Sequence, residues 1–158
     1  MLNPIPSEVD VAVIGAGSAG LPAFRAAREH TDRVILIERG PHGTTCARVG
    51  CMPSKLLIAA AEAAHGMEIA PGFGIHPGSI SIDGEAVMER VRRERDRFVG
   101  FVLDGVDRID PEQKISGQAR FVEDSRLEIR NSQVRAGRVV IASGTSPAIP
   151  DFLEEVRA

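Results

Sequence analysis

Cys46 and Cys51 are the two cysteines of the chain, with four residues between them, in the run Cys46-Ala-Arg-Val-Gly-Cys51-Met-Pro-Ser-Lys55. Thiols this close can form a small disulfide if the turn between them is tight, and Gly50 favours such a turn. Cys51 stands at the start of an expected helix, where the dipole favours a thiolate. Lys55, one turn further, adds positive charge. Two other readings stay open: a pair of unrelated buried cysteines, or half of a metal site. A zinc site would need two more ligands, but there is no second cysteine pair. His30, His42, His65 and His76 are scattered and read as ordinary loop or surface histidines. No metal is expected. A single close pair is not a stability framework, so redox chemistry is the preferred reading.

The second chemical signal is Gly15-x-Gly17-x-x-Gly20. In a strand-to-helix turn, Gly15 permits the tight bend and Gly17 lets backbone approach a pyrophosphate. Gly20 lets the helix pack closely on the strand. The helix N-terminus offers free N–H groups and partial positive charge to the phosphates. Glu38 follows Gly20 by 18 residues, where a carboxylate can accept from ribose hydroxyls. A tight turn with no ligand is the alternative. The fingerprint by itself does not choose between NAD and FAD.

These residues need elements to hold them. Residues 9–14 read as a short buried strand, 21–30 as a helix and 33–38 as a second buried strand, which together make a βαβ unit with a parallel sheet. Arg39 to Cys46 reads as a loop. A helical pattern runs from about Met52 to His65, with Pro53 near its start. Residues 70–80 read as a connecting loop. Asp83 reads as the N-cap of a long helix ending near Asp107, with Arg90 to Arg97 as a solvated face. Beyond Pro111, three short segments (114–122, 126–130 and 134–136) suggest a small antiparallel meander, and 139–142 a last apolar strand. After Pro147 and Pro150 an exposed connection is expected.

Composition narrows the function classes. The chain has 158 residues, 43% of them hydrophobic, so it is not a disordered tail. The formal net charge of −3 argues against a strongly basic nucleic-acid binder. No apolar run approaches the ~20 residues of a membrane span. Met1 to Asp10 carries Pro4 and Pro6 and no Lys or Arg, unlike a secretory signal. A cytoplasmic protein is expected, without nucleic-acid or membrane partners.

Taken together, the motifs resemble those of the pyridine nucleotide–disulfide oxidoreductases, of the dihydrolipoamide dehydrogenase and glutathione reductase type. Val13-Ile-Gly-Ala-Gly-Ser-Ala-Gly20, Gly43-Thr-Thr-Cys46, Val49-Gly-Cys51-Met-Pro-Ser-Lys55 and Val140-Ile-Ala-Ser-Gly144 fall in that family's order and spacing. The resemblance covers essentially the whole chain. It implies an α/β fold: a Rossmann-like FAD-binding domain, with a parallel sheet, helices and a small antiparallel β-meander, incomplete at the C-terminus. It implies FAD as the bound dinucleotide, with NAD or NADP as co-substrate of a full-length enzyme. Gly15, Gly17, Ser18 and Gly20 would serve the pyrophosphate, and Glu38 and Arg39 the adenosine side. Cys51 would be the thiolate nearest the flavin and Cys46 the interchange thiol. Thr45, Lys55, Ala142, Ser143 and Gly144 would line the cofactor. Ala119 would contact adenine through backbone, or is simply a small residue in a strand.

The chain also departs from the family pattern. Thr44 stands where the family usually has a second glycine, and Ala47 and Arg48 stand for Leu and Asn. Arg48 is expected to add a cation between the thiols, lowering a thiol pKa or favouring an acidic substrate. A second glycine fingerprint and the family's C-terminal His-Glu pair are absent from these residues. The expected organisation is 1–150 as the first segment of the FAD domain and 151–158 as the start of a linker to an NAD(P) domain. The chain is thus expected to be a truncated portion, inactive alone, of a homodimeric oxidoreductase. Its substrate would be a small-molecule or protein-bound dithiol or disulfide. Dihydrolipoamide dehydrogenase is the first choice, with mercuric or glutathione-type reductases and a non-catalytic flavin-binding module as alternatives. An NAD-dependent dehydrogenase with an incidental cysteine pair ranks last.

Overall fold

The computed structural model describes residues 4–146 and 148–156, the last three without their side chains. Pro147, expected to open the exposed connection, and Ala158, the end of the expected linker, lie outside the described residues, as do Met1 to Asn3. The elements begin with β1 (Glu8–Ile14), α1 (Gly20–Arg28) and β2 (Val34–Glu38). Next come α2 (Thr45–Val49), α3 (Cys51–Ile69) and α4 (Gly84–Asp107). Four strands complete the sheet: β3 (Lys114–Ser116), β4 (Ala119–Glu123), β5 (Arg126–Ile129) and β6 (Ser132–Ile141).

One six-stranded sheet has the order β3-β2-β1-β6-β5-β4. The first four strands in that order are parallel to their neighbours, while β5 and β4 extend it antiparallel. This is the expected α/β, Rossmann-like arrangement. Strand β1 is central because its run of β-branched residues is buried on both faces. Ala12 and Val13, on opposite faces, are both fully buried. On one face Leu21 and Phe24 of α1 and Val106 of α4 pack against Val13, Val34 and Leu36. On the other, Leu127 and Ile129 of β5 share a cluster with Ile35, Ile37 and Ile115. Those partners lie on strands far from β5 in the sheet order, so the antiparallel arm curls back over this face.

Three details differ from expectation. Residues 114–122 are not one meander strand: β3 leaves to pair parallel with β2, and Gly117 N–H donates to the Glu38 carbonyl at 2.8 Å. The segments at 134–136 and 139–142 are one strand, β6. Gly137 does not break it, because it faces Asp10, where an added Cβ would lie 3.0 Å from the Asp10 carbonyl oxygen. The third is α2, within and beyond a stretch expected to be loop up to Cys46. Thr44 nucleates it, its Oγ1 accepting from Ala47 N–H at 3.1 Å. The long helix starts as expected, with the Asp83 carboxylate accepting from Ala86 N–H at 3.0 Å.

Candidate functional site

Strand order reverses at β1, with β2 on one side and β6 on the other, and a cleft opens where these strands end. The glycine turn is tied to both neighbours. Gly15 N–H donates to the Ile37 carbonyl at 2.8 Å, and Ala142 N–H donates to that of Ile14 at 2.8 Å. Gly15 has φ +103°, and a Cβ there would lie 2.2 Å from the Ala142 carbonyl oxygen. A Cβ on Gly20 would lie 1.7 Å from the Gly15 carbonyl oxygen. Both glycines are therefore required by packing. Gly17 is different: a Cβ there would meet nothing within 4 Å. The protein itself does not need that glycine, which leaves room above the turn for a ligand. α1 begins here with no side chain capping its N–H groups.

Glu38 ends β2 with both carboxylate oxygens engaged. Oε2 accepts from Ala16 N–H at 2.7 Å and Oε1 from Gly40 N–H at 2.8 Å. The carboxylate thus fixes the glycine turn and the following loop, while each oxygen keeps a second lone pair for a ligand hydroxyl.

The cleft measures about 990 Å³, the size of a small-molecule site. It gathers Gly15, Gly17, Ser18, Glu38, Arg39, Thr45, Ala119, Ala142, Ser143 and Gly144 from the sequence-predicted set. Gly20 is buried beneath the turn. Cys46, Cys51 and Lys55 are not among the residues that line it. The residues present fit a dinucleotide: a glycine cradle with open space, an uncapped helix start and a positioned carboxylate.

The thiols sit at the junction of α2 and α3. Gly50 ends one helix and begins the other, and a Cβ there would lie 3.2 Å from the Thr45 carbonyl oxygen. The glycine therefore lets the start of α3 pass close to Cys46. Cys46 is half-buried and Cys51 exposed, both as free thiols. A hydrogen bond to the Cys51 side chain pushes the Cys46 thiol above its ordinary pKa, with burial adding to the rise. The Cys51 backbone N–H opposes this by donating to the Cys46 sulfur. The two thiols are thus near enough for one to shift the titration of the other, the proximity that exchange chemistry uses. Lys55 is exposed on α3, one turn beyond Cys51.

Arg48 is not where the sequence reading put it. It lines the cleft and is not among the groups acting on the Cys46 thiol. The expectation that it would lower a thiol pKa meets a Cys46 shifted upward by other causes. Its placement follows from α2, since residue 48 shares a helix face with Thr44 and Thr45, which line the same cleft. Thr44 was the overlooked signal: as an N-cap it starts the helix that carries Arg48 round. Among the histidines, His30, His65 and His76 are exposed as expected, whereas His42 is half-buried with an unpartnered Nδ1. Among the described residues no group of three or more His, Cys, Asp or Glu is placed to hold a metal ion. Among them, too, no helix is long and apolar enough to cross a membrane.

Comparison with known proteins shows what the chain is similar to. A family model described as pyridine nucleotide-disulphide oxidoreductase matches residues 9–157. A mercuric reductase of Streptomyces lividans is 35% identical over 159 aligned positions, covering 93% of this chain and 33% of the relative. A mercuric reductase of Lysinibacillus sphaericus is 32% identical over 148, covering 90% and 26%. A glutathione reductase of Burkholderia cepacia is 32% identical over 143, covering 90% and 32%. Among solved structures, the HOCl-induced flavoprotein disulfide reductase RclA from Escherichia coli superposes with a TM-score of 0.68 at 21% identity. That match covers 90% of this chain and 29% of RclA. The chain spans about a quarter to a third of the length of the curated relatives it matches.

Proposed function

The chain belongs to the pyridine nucleotide-disulphide oxidoreductase family, and on that premise we propose that it is the FAD-binding and disulfide-carrying portion of a flavin-dependent disulfide oxidoreductase. One observation carries the reading: a dinucleotide cleft and a closely spaced thiol pair are built side by side, joined by the five residues of α2. In this reading Gly15, Gly17 and Ser18 cradle the pyrophosphate and Glu38 holds the adenosine ribose. Arg39 and Ala119 line the adenosine end, and Thr45, Ala142, Ser143 and Gly144 line the remainder. FAD would supply two-electron transfer between a nicotinamide co-substrate and the Cys46–Cys51 pair. The reduced pair holds two electrons as thiols. Attack by one thiolate on a substrate disulfide forms a mixed disulfide, and the other thiol then releases the reduced substrate.

The named relatives favour a mercuric- or glutathione-type substrate over the lipoamide first expected. Residues 1–150 would then be the first segment of the FAD domain and 151–158 the start of the connection to a nicotinamide domain. The complete enzyme would be a homodimer, as the resemblance implies, working in the cytoplasm.

The test separates binding from folding. Gly17→Ala puts a methyl group into the open space of the cradle without touching protein. It should weaken FAD binding about tenfold or more, measured by flavin fluorescence quenching, and leave the thermal midpoint unchanged. Unaltered FAD affinity in this variant would remove the pyrophosphate from the glycine turn and sink the reading.

A further inference from the structure

We infer that Arg48 is a phosphate clamp of the dinucleotide cleft, an anion-binding residue that acts on the cofactor and not on the thiols. This deepens the function proposed above and rests on it. The charged residues lining the cleft are Glu38, Arg39 and Arg48. Two guanidiniums against one carboxylate leave the cleft net positive, before the partial charge of the α1 N-terminus is added. The Glu38 carboxylate is oriented by the Ala16 and Gly40 N–H groups and, among the described residues, pairs with neither guanidinium. Among the described residues Arg48 forms no ion pair with a carboxylate. A guanidinium lining a cleft without an ion-pair partner is poised for an anionic ligand.

The side chain is also held in place. Its stem lies across Gly43, where a Cβ would come 3.1 Å from Arg48 Cδ and 3.3 Å from Cγ. One terminal nitrogen, Nη1, donates to the Pro41 carbonyl at 3.4 Å, leaving the rest of the guanidinium fork available. The glycine at 43, with φ +105°, thus provides both the turn into α2 and the channel for the Arg48 stem. Such a fork suits phosphoryl oxygens better than a ring or a ribose hydroxyl does.

The experiment is FAD titration of the full chain at several salt concentrations, comparing wild type with Arg48→Asn and Arg48→Lys. The expected result is an FAD dissociation constant about tenfold higher for Arg48→Asn, with weaker salt dependence than wild type. Arg48→Lys keeps the charge, so it should retain the salt dependence while binding less tightly than wild type. Unchanged affinity in Arg48→Asn, or weakened affinity with the wild-type salt dependence, overturns the assignment. Absence of FAD binding in the wild type would instead overturn the functional reading itself. An Arg48→Asn that fails to fold leaves Arg48→Lys to decide: loss of the salt dependence in that variant rejects the clamp.

Discussion

At the scale of single residues, the proximity of Cys51 governs the reactivity of Cys46. Cys46 is held as a thiol by its hydrogen bond to Cys51. Cys51→Ala removes that partner, so the Cys46 pKa should fall and its thiolate fraction rise at any pH below it. Alkylation of Cys46 by iodoacetamide at pH 8 should accordingly be faster in Cys51→Ala than in wild type, and a slower rate would contradict the hold of Cys51 on Cys46. Thr44 poses a different residue-level question. It adopts φ +58° and ψ 147°, a region nearly confined to glycine. Backbone strain of this kind costs roughly 1–3 kcal/mol, whereas exchanging a threonine cap for glycine loses only a few tenths. Thr44→Gly should therefore stabilise the chain by about 1 kcal/mol in urea denaturation, even after the added freedom of glycine in the unfolded state. The cleft residues were legible in the sequence because glycine spacing and a strand-terminal acid carry their own geometry. Arg48 was not legible, since its direction depends on a five-residue helix whose start is a strained threonine.

At the scale of elements, the joint between β1 and α1 rests on the close approach of two glycines. A Cβ on Gly20 would overlap the Gly15 carbonyl oxygen, so no side chain fits there. Gly20→Ala should cost about 3 kcal/mol of stability, read as a fall in the denaturation midpoint. The outcome contrasts with the neutral folding expected of Gly17→Ala, though both belong to one fingerprint. The helices were readable from capping and periodicity: Asp83 opens α4 and the helix ends at Asp107, as expected. Strands were harder. A glycine at 137 resembles a turn in one dimension, yet in the sheet it admits the close approach of Asp10. Likewise β3 is only three residues long, and its partner β2 lies far away in sequence. Local pattern cannot reveal such a pairing.

At the scale of the whole molecule, the accessible surface is 11,090 Å². A compact monomer of 16.9 kDa would expose roughly 7,700 Å² by the usual size scaling. Large apolar side chains are among the exposed residues. α3 has no buried residue, and Phe73, Phe101, Ile141 and Phe152 are each more than 60% exposed. Residues 1–158 purified alone should therefore bind a hydrophobic dye such as ANS in the folded state, and a dye signal no greater than that of a compact globular protein would contradict this. The family's second glycine fingerprint is not among these residues, so the same preparation should show no NADH-dependent disulfide reduction. Turnover by it would overturn that expectation.

β6 joins the two halves of the sheet, since it pairs in parallel with β1 and antiparallel with β5. Its distance along the chain has a consequence in time. β1 ends at Ile14 and β6 begins at Ser132, so 118 residues must be added before the second edge of β1 can be covered. At cellular rates of synthesis that takes about 6–24 s. Throughout that interval the central strand of the sheet has one side open on the ribosome, where a holding chaperone would find it before its own partner does.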